Sequence, residues 1–322
     1  MRSVGFIALI CASFTGPSLA QTAAPSSAAP KSPSEWSPSP HGPDDRLGAL
    51  NYVRPEKTAR AAKLVTEGIS YSLGAPVGPE TPAYGPRSYS VTVLQLSDGT
   101  GTPIGANQAT GNDDLIHTWL GIGSQLDGLG HMGTEHTYYN GVKASDFVAT
   151  DGLKQFSIHT LPPIATRGVL LDMTKVYDSN PVPDGTAFNK DAIKAAAKAA
   201  DITLEAGDIV LFHTGKMAAL AETQDFSPTA PGLGLEGARY LAELGIAAIG
   251  TDTWAVEAIP FESPEHVFPV HPVLLAEYGV YILENMVTEP LARDDVTEFF
   301  FVLGMPRLKG TVQAMVNPIA LK

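Results

Sequence analysis

Gln125, Asp127 and His131 bring an amide, a carboxylate and an imidazole within seven residues, in the stretch Ser124-Gln125-Leu126-Asp127-Gly128-Leu129-Gly130-His131. In an extended segment, side chains two apart share a face, so Gln125 and Asp127 project together while Leu126 faces the opposite way. Asp127-Gly128 reads as a turn that swings His131 back toward the two oxygen-bearing groups. Oxygen donors beside one imidazole suit a divalent cation such as Mn²⁺ or Zn²⁺. The same residues also fit a polar loop in which the aspartate caps a turn and the histidine meets solvent. Spacing within the stretch does not separate the two.

A second group lies far downstream. His271-Pro272-Val273-Leu274-Leu275 opens a short apolar element, and Glu284 terminates Val280-Tyr281-Ile282-Leu283-Glu284-Asn285. Ile282 and Glu284 share a face of that expected strand, so the acid points where a core residue belongs. An ionised carboxylate there needs a cation or several hydrogen-bond donors. A strand end capped by Asn285, with Glu284 reaching water and His271 at the surface, fits the same pattern. The combination links the stretches: Asp127 and Glu284 are acids in apolar settings, with His131 and His271 available to complete a site.

The elements that must position these groups follow from patterning. Pro55-Glu56-Lys57-Thr58 opens a helix whose stripe is Ala59, Ala62, Leu64 and Val65, closed by Gly68. Ile69–Leu73 and Ser88–Leu96 alternate as half-buried strands do, and Asp98–Asp114 reads as a long loop able to cover a site. Leu115–Ile122 leads as a strand into the Gln125 stretch. Further strands are expected at 168–172, 208–213, 246–250, 280–283, 298–303 and 312–319. Asn189–Ala200 and Leu235–Leu244 read as amphipathic helices, the second closed by Gly245. Strands and helices mix without a regular βαβ beat, which predicts a mixed α/β domain.

Composition bounds the setting. The chain has 322 residues, 44% of them hydrophobic, enough for a full-sized core. Arg2, the apolar run Val4–Phe14 and Ser18-Leu19-Ala20 form a secretory signal cleaved after Ala20, so a periplasmic or secreted protein without a membrane anchor is expected. Residues 21–40 read as an Ala/Pro/Ser-rich disordered tether, and 41–322 as one domain. The single cysteine, Cys11, lies in the leader, so thiolate ligands, disulfides and a cysteine nucleophile are excluded from the mature chain. A net charge of −13 without clustered Lys or Arg argues against nucleic acid as a partner.

At this point the residues carry a resemblance. The chain resembles the metal-dependent cyclase/hydrolase family that includes bacterial kynurenine formamidases, isatin hydrolase and cyclic-imide hydrolases. The family signature, His-x-Gly-Thr-His-x-Asp-x-Pro-x-His, matches Gly121-Ile122-Gly123-Ser124-Gln125-Leu126-Asp127-Gly128-Leu129-Gly130-His131. The His271 stretch, Tyr281–Asn285, Gly207–Gly215 and Gly250–Thr253 also match, and the likeness runs from about Gly42 to Leu321. Gly121 and Gln125 stand where two signature histidines would be, a version similar to a longer Gln-x-Asp-Gly-Leu-x-His subgroup.

The resemblance implies a swivelling β/β/α-type cyclase fold, with a largely buried mixed sheet flanked by helices. It implies hydrolysis of a small cyclic amide, imide, lactone or aryl formamide by water activated on a divalent metal. His131 would be the general acid/base, and Gln125, Asp127, His271 and Glu284 would hold one Mn²⁺ or Zn²⁺. The two missing imidazoles argue against a second ion, unless His117, His136 or His213 replaces them. His213, Tyr139, His136 and Trp254 are candidates for the pocket wall. A small-molecule substrate and a homo-oligomer, dimer or tetramer, complete the expectation. A non-catalytic periplasmic ligand-binding protein of the same fold, and a structural protein whose acids only stabilise turns, are the competing readings.

Overall fold

The apolar and alternating segments form thirteen short strands in a computed structural model that describes residues 31–94, 101–223 and 227–322. In chain order these are β1 (Ser70–Ser72), β2 (Tyr89–Leu94), β3 (Asp113–Thr118), β4 (Gln125–Asp127), β5 (Ile164–Asp172), β6 (Ala187–Phe188) and β7 (Ile209–His213). They continue with β8 (Gly232–Leu233), β9 (Ala248–Thr251), β10 (Tyr281–Glu284), β11 (Glu298–Leu303), β12 (Gln313–Met315) and β13 (Ile319–Leu321). The expected leader, 1–20, and the tether residues 21–30 lie outside the described residues.

Nine strands form one sheet in the order β1-β13-β11-β5-β7-β9-β10-β4-β12. Its centre, β5-β7-β9-β10, is parallel, and both flanks are antiparallel. The parallel strands are apolar throughout because both of their faces are covered: Ile209–Phe212 and Tyr281–Leu283 are fully buried. The helices Lys190–Ala199 and Leu235–Glu243 pack on each other, and the first also packs on β5. Together these elements make the mixed α/β architecture, a largely buried mixed sheet with helices packed on it, that the patterning and the resemblance imply.

Local expectations change where tertiary contacts decide. The helix Pro55–Ala61 buries Lys57 and Ala61, while Ala59, Ala62 and Val65 are exposed. The reason is electrostatic, since the Lys57 ammonium lies 2.6 Å from the fully buried Asp208. The patterning predicts a half-buried strand at 88–96, of which residues 95–96 lie outside the described residues, and a strand at 115–122. Instead β2 and β3 pair only with each other, as an antiparallel ribbon exposing Val91, Val93, Leu115 and Ile116, and Leu115–Ile122 stops being strand at Thr118. The segment 312–319 divides into β12 and β13 around Asn317-Pro318, where proline removes a ladder donor. Residues 31–40, assigned to a tether, belong to the packed structure: they contain the helical turn Pro33–Trp36, and the Ser39 hydroxyl bonds Tyr139 at 2.6 Å. Among the described residues, no helix is long and apolar enough to cross a membrane.

Candidate metal centre

Strand β4 runs between β10 and β12, and register does the assembling. Asp127 stands opposite Ile282 and Gln313, Leu126 opposite Leu283 and Ala314, and Gln125 opposite Glu284 and Met315. Directly opposite residues share a face, so the apolar trio Leu126, Leu283 and Ala314 packs into the core while the polar residues gather on the other side. The Gln125 amide Nε2 donates to Glu284 Oε2 at 2.7 Å and lies 3.3 Å from Asp127 Oδ1. Acids 157 positions apart in the chain are thereby joined through one buried amide.

The loop after β4 returns as expected. His131 N donates to Gly128 O at 2.9 Å, closing a turn that leaves the His131 Nε2 4.0 Å from Asp127 Oδ2. Gly128 is required here, because a Cβ would sit 2.8 Å from Ile158 Cδ1 and 2.9 Å from Val312 O. His271 comes from the short helix Val270–Pro272. Its Nε2 lies 3.2 Å from Glu284 Oε1 and 3.9 Å from Asp127 Oδ2, and its Nδ1 bonds Glu257 Oε1. Glu257 also accepts from the backbone N–H of Val270 and His271, so one buried carboxylate caps the helix and aims the ring.

Asp127, His131 and His271 each offer a ligand atom, and these atoms lie within 4.8 Å of one another. Asp127 Oδ2 and Gln125 Oε1 are buried without a hydrogen-bond partner. Orphaned buried acceptors are costly and rare, and a cation between the two imidazoles and Asp127 would satisfy its Oδ2. Charge points the same way. Burial, with the nearby Asp127 charge, pushes the Glu284 carboxyl up to about 7 against its bond from His271. Burial works against protonation of His271, but its bonds to Glu257 and Glu284 outweigh that and hold the ring well above the ordinary histidine range. His131 is shifted downward by burial, aided by His271 and Arg87, despite the pull of Asp127. The cluster is a crowd of carboxylates short of positive charge, and its oxygen-plus-imidazole donor set fits a divalent metal.

The remaining expected residues divide. Trp254 lines a cavity of about 270 Å³ with Pro76, Pro82, Met217, Leu220 and Asn285, beside the Gln125–Glu284 end of the strand pair. Its ring stacks on Tyr84 at 4.9 Å and meets Phe268 edge-on, and Phe268 in turn meets His271. His213 is buried beneath this wall, with Nδ1 2.8 Å from Thr288 Oγ1 and 3.6 Å from Asp252 Oδ2, the latter a lining residue. Tyr139 is a core residue instead, its phenol bonded to Ser39 and Asp45. His136 is exposed in a loop and His117 on the β2–β3 ribbon, so neither supplies a missing imidazole to the cluster.

A family model described as Cyclase matches residues 71–258, more than half the chain. The chain belongs to the Cyclase family. A crystal structure of a novel cyclase superposes with a TM-score of 0.79 at 29% identity, covering 88% of this chain and 96% of that one. An isatin hydrolase bound to the product analogue thioisatinate gives 0.61 at 18% identity, covering 82% and 97%. Isatin hydrolase A from Labrenzia aggregata, bound to benzyl benzoate, gives 0.59 at 17% identity, covering 78% and 93%. No curated protein sequence matches significantly.

Within this Cyclase, three residues escape a reading of the sequence. Glu257 is one; an acid inside Ala255-Val256-Glu257-Ala258 was the available signal. Gln313 is another, its Nε2 donating to Asp127 Oδ1 at 2.6 Å and lying 3.5 Å from His131 Nε2. The third is Arg87, whose Nη1 donates to Gly121 O. The space that the signature histidine would take at Gly121 is filled by the ends of two long side chains, a Cβ there meeting Gln313 Oε1 at 2.7 Å and Arg87 Nη1 at 3.0 Å. Neither Gln313 nor Arg87 carries a local signal, because strand register and loop path bring them in.

Proposed function

We propose that this Cyclase is a metal-dependent hydrolase of small amides or esters, opening a cyclic amide, imide or lactone or cleaving an aryl formamide. The observation that carries the reading is Asp127 Oδ2, an orphaned buried acceptor that faces two imidazoles. Two isatin hydrolases that share the fold act, by name, on a cyclic amide.

Asp127 and His271, with Gln125 and Glu284 completing the set, would hold one Mn²⁺ or Zn²⁺. Such an ion supplies Lewis acidity toward a carbonyl oxygen and toward water. The chain supplies the rest. Glu257 holds the His271 ring by its Nδ1, leaving Nε2 for the centre, as carboxylate partners do for ligating histidines. Gln313 restrains Asp127 Oδ1, so the carboxylate presents Oδ2. His131, kept neutral by its downward shift, takes the proton of the attacking water and returns it to the leaving nitrogen or oxygen as the C–N or C–O bond breaks. His131 also stands close enough to serve as a ligand, a role that competes with proton transfer. The Trp254–Tyr84 wall would receive the apolar part of the substrate. In this reading the protein works as a homo-oligomer outside the cytoplasm.

The test is metal analysis of the purified mature chain, followed by a panel of formamides, imides and lactones with added Mn²⁺ or Zn²⁺. Turnover that a chelator abolishes and the ion restores is the expected result. A chain that takes up no divalent ion and turns over nothing overturns the reading.

A further inference from the structure

We propose that Arg87 is an anion-binding residue beside the Asp127–His131–His271 cluster, and that the substrate therefore carries a carboxylate. The inference rests on the hydrolase reading of that cluster and names a substrate class for it. Arg87 is partly buried, and among the described residues its recorded partner is one backbone oxygen, Gly121 O. Among the described residues it forms no ion pair, although acids outnumber Lys and Arg by 34 to 21 in this chain. A guanidinium offers five donors in a planar fork, and one carbonyl leaves most of that capacity unused.

Its position makes that capacity meaningful. Arg87 Nη1 and the Gln313 amide crowd the same point above Gly121, and that amide also grips Asp127 Oδ1. The Arg87 charge is felt at both His131 and Glu284, where it opposes protonation. A fixed cation thus stands next to the reacting groups, on the same loop that brings Tyr84 onto Trp254 at the cavity. Guanidinium–carboxylate recognition is bidentate and geometrically specific. A substrate with an apolar body and a carboxylate matches both features of this loop.

The test compares benzoate with its neutral isostere benzamide by calorimetry, on metal-loaded and metal-free full-length protein. Wild-type protein should prefer benzoate. Arg87→Gln should weaken benzoate at least tenfold while leaving benzamide within twofold, and Arg87→Lys should recover part of the preference. An Arg87→Gln variant that binds benzoate as well as wild type, or that loses both probes equally, overturns the proposal. Metal content is measured on every sample. Absence of metal from the wild type would count against the hydrolase reading, whereas the benzoate preference of the metal-free chain would still decide the role of Arg87.

Discussion

Asp127 is the residue on which the centre turns, since it meets Gln125, Gln313 and both imidazoles. Asp127→Ala should leave a folded chain that no longer retains the ion, measured as metal per protein after dialysis. His131→Ala should retain the ion and lose turnover, because its imidazole is assigned to proton movement. Full metal occupancy in the Asp127 variant would refute that division of labour. Glu257→Gln keeps the size of the side chain but weakens its hold on His271 Nδ1, and loss of such an outer partner typically costs about 10–100-fold in metal affinity. Competition with a chelating dye would measure that loss, with far-ultraviolet circular dichroism unchanged. These acids were half legible. Asp127 and Glu284 stand out because a carboxylate among apolar residues demands a partner. Glu257 carries the same signal within Ala255-Val256-Glu257-Ala258 without naming its partner, whereas Gln313 and Arg87 carry none, because their partners arrive through packing.

At the scale of elements, three strands of three or four residues hold the site, and their register is enforced from the opposite face. Leu126, Leu283 and Ala314 are the apolar half of β4, β10 and β12, at 2% exposure or less. Slipping by one residue would send the polar row into the core. Leu126→Ala should therefore cost about 2–5 kcal/mol in urea unfolding, the range for deleting a fully buried leucine. It should also weaken metal binding although the residue touches no ligand. Wild-type metal affinity in a measurably destabilised Leu126→Ala protein would show that register does not depend on this packing. Of these strands, β10 was readable from its apolar run and β12 only as part of the longer segment 312–319. Their order β9-β10-β4-β12 was not, because β9–β10 is a parallel pair joined by a long crossover and the antiparallel pairs β10–β4 and β4–β12 join strands far apart in the chain, with no hairpin to signal them.

Across the whole molecule, a buried ion network lies among β5, β7 and the helix Pro55–Ala61. Asp208 is fully buried and meets Lys57 at 2.6 Å and Arg167 at 2.6 Å, while Arg167 also reaches Glu298 at 2.9 Å on β11. Two cations on one carboxylate make the network redundant. Lys57→Met or Arg167→Met alone should cost less than the roughly 3–5 kcal/mol of a fully broken buried pair. The double variant should lose more than the sum of the singles, since only then is Asp208 left uncompensated. A double-mutant cycle in urea measures this, and strict additivity would mean that the cations do not share the load. Metal affinity of the folded fraction should not change.

What the sequence determined by itself was chemistry and class: which groups could ligate, that the one cysteine lies in the expected leader, and that the elements are mixed α/β. Those properties are local, because they depend on residue type, alternation and the cost of burying a charge. Tertiary structure alone decided that β12 lies against β4 and supplies Gln313, that Glu257 holds His271, that Arg87 occupies the space above Gly121, and that Tyr139 belongs to the core. Each of these is a contact between residues distant in the chain, and such contacts are set by which buried faces fit together, a property that no single segment carries.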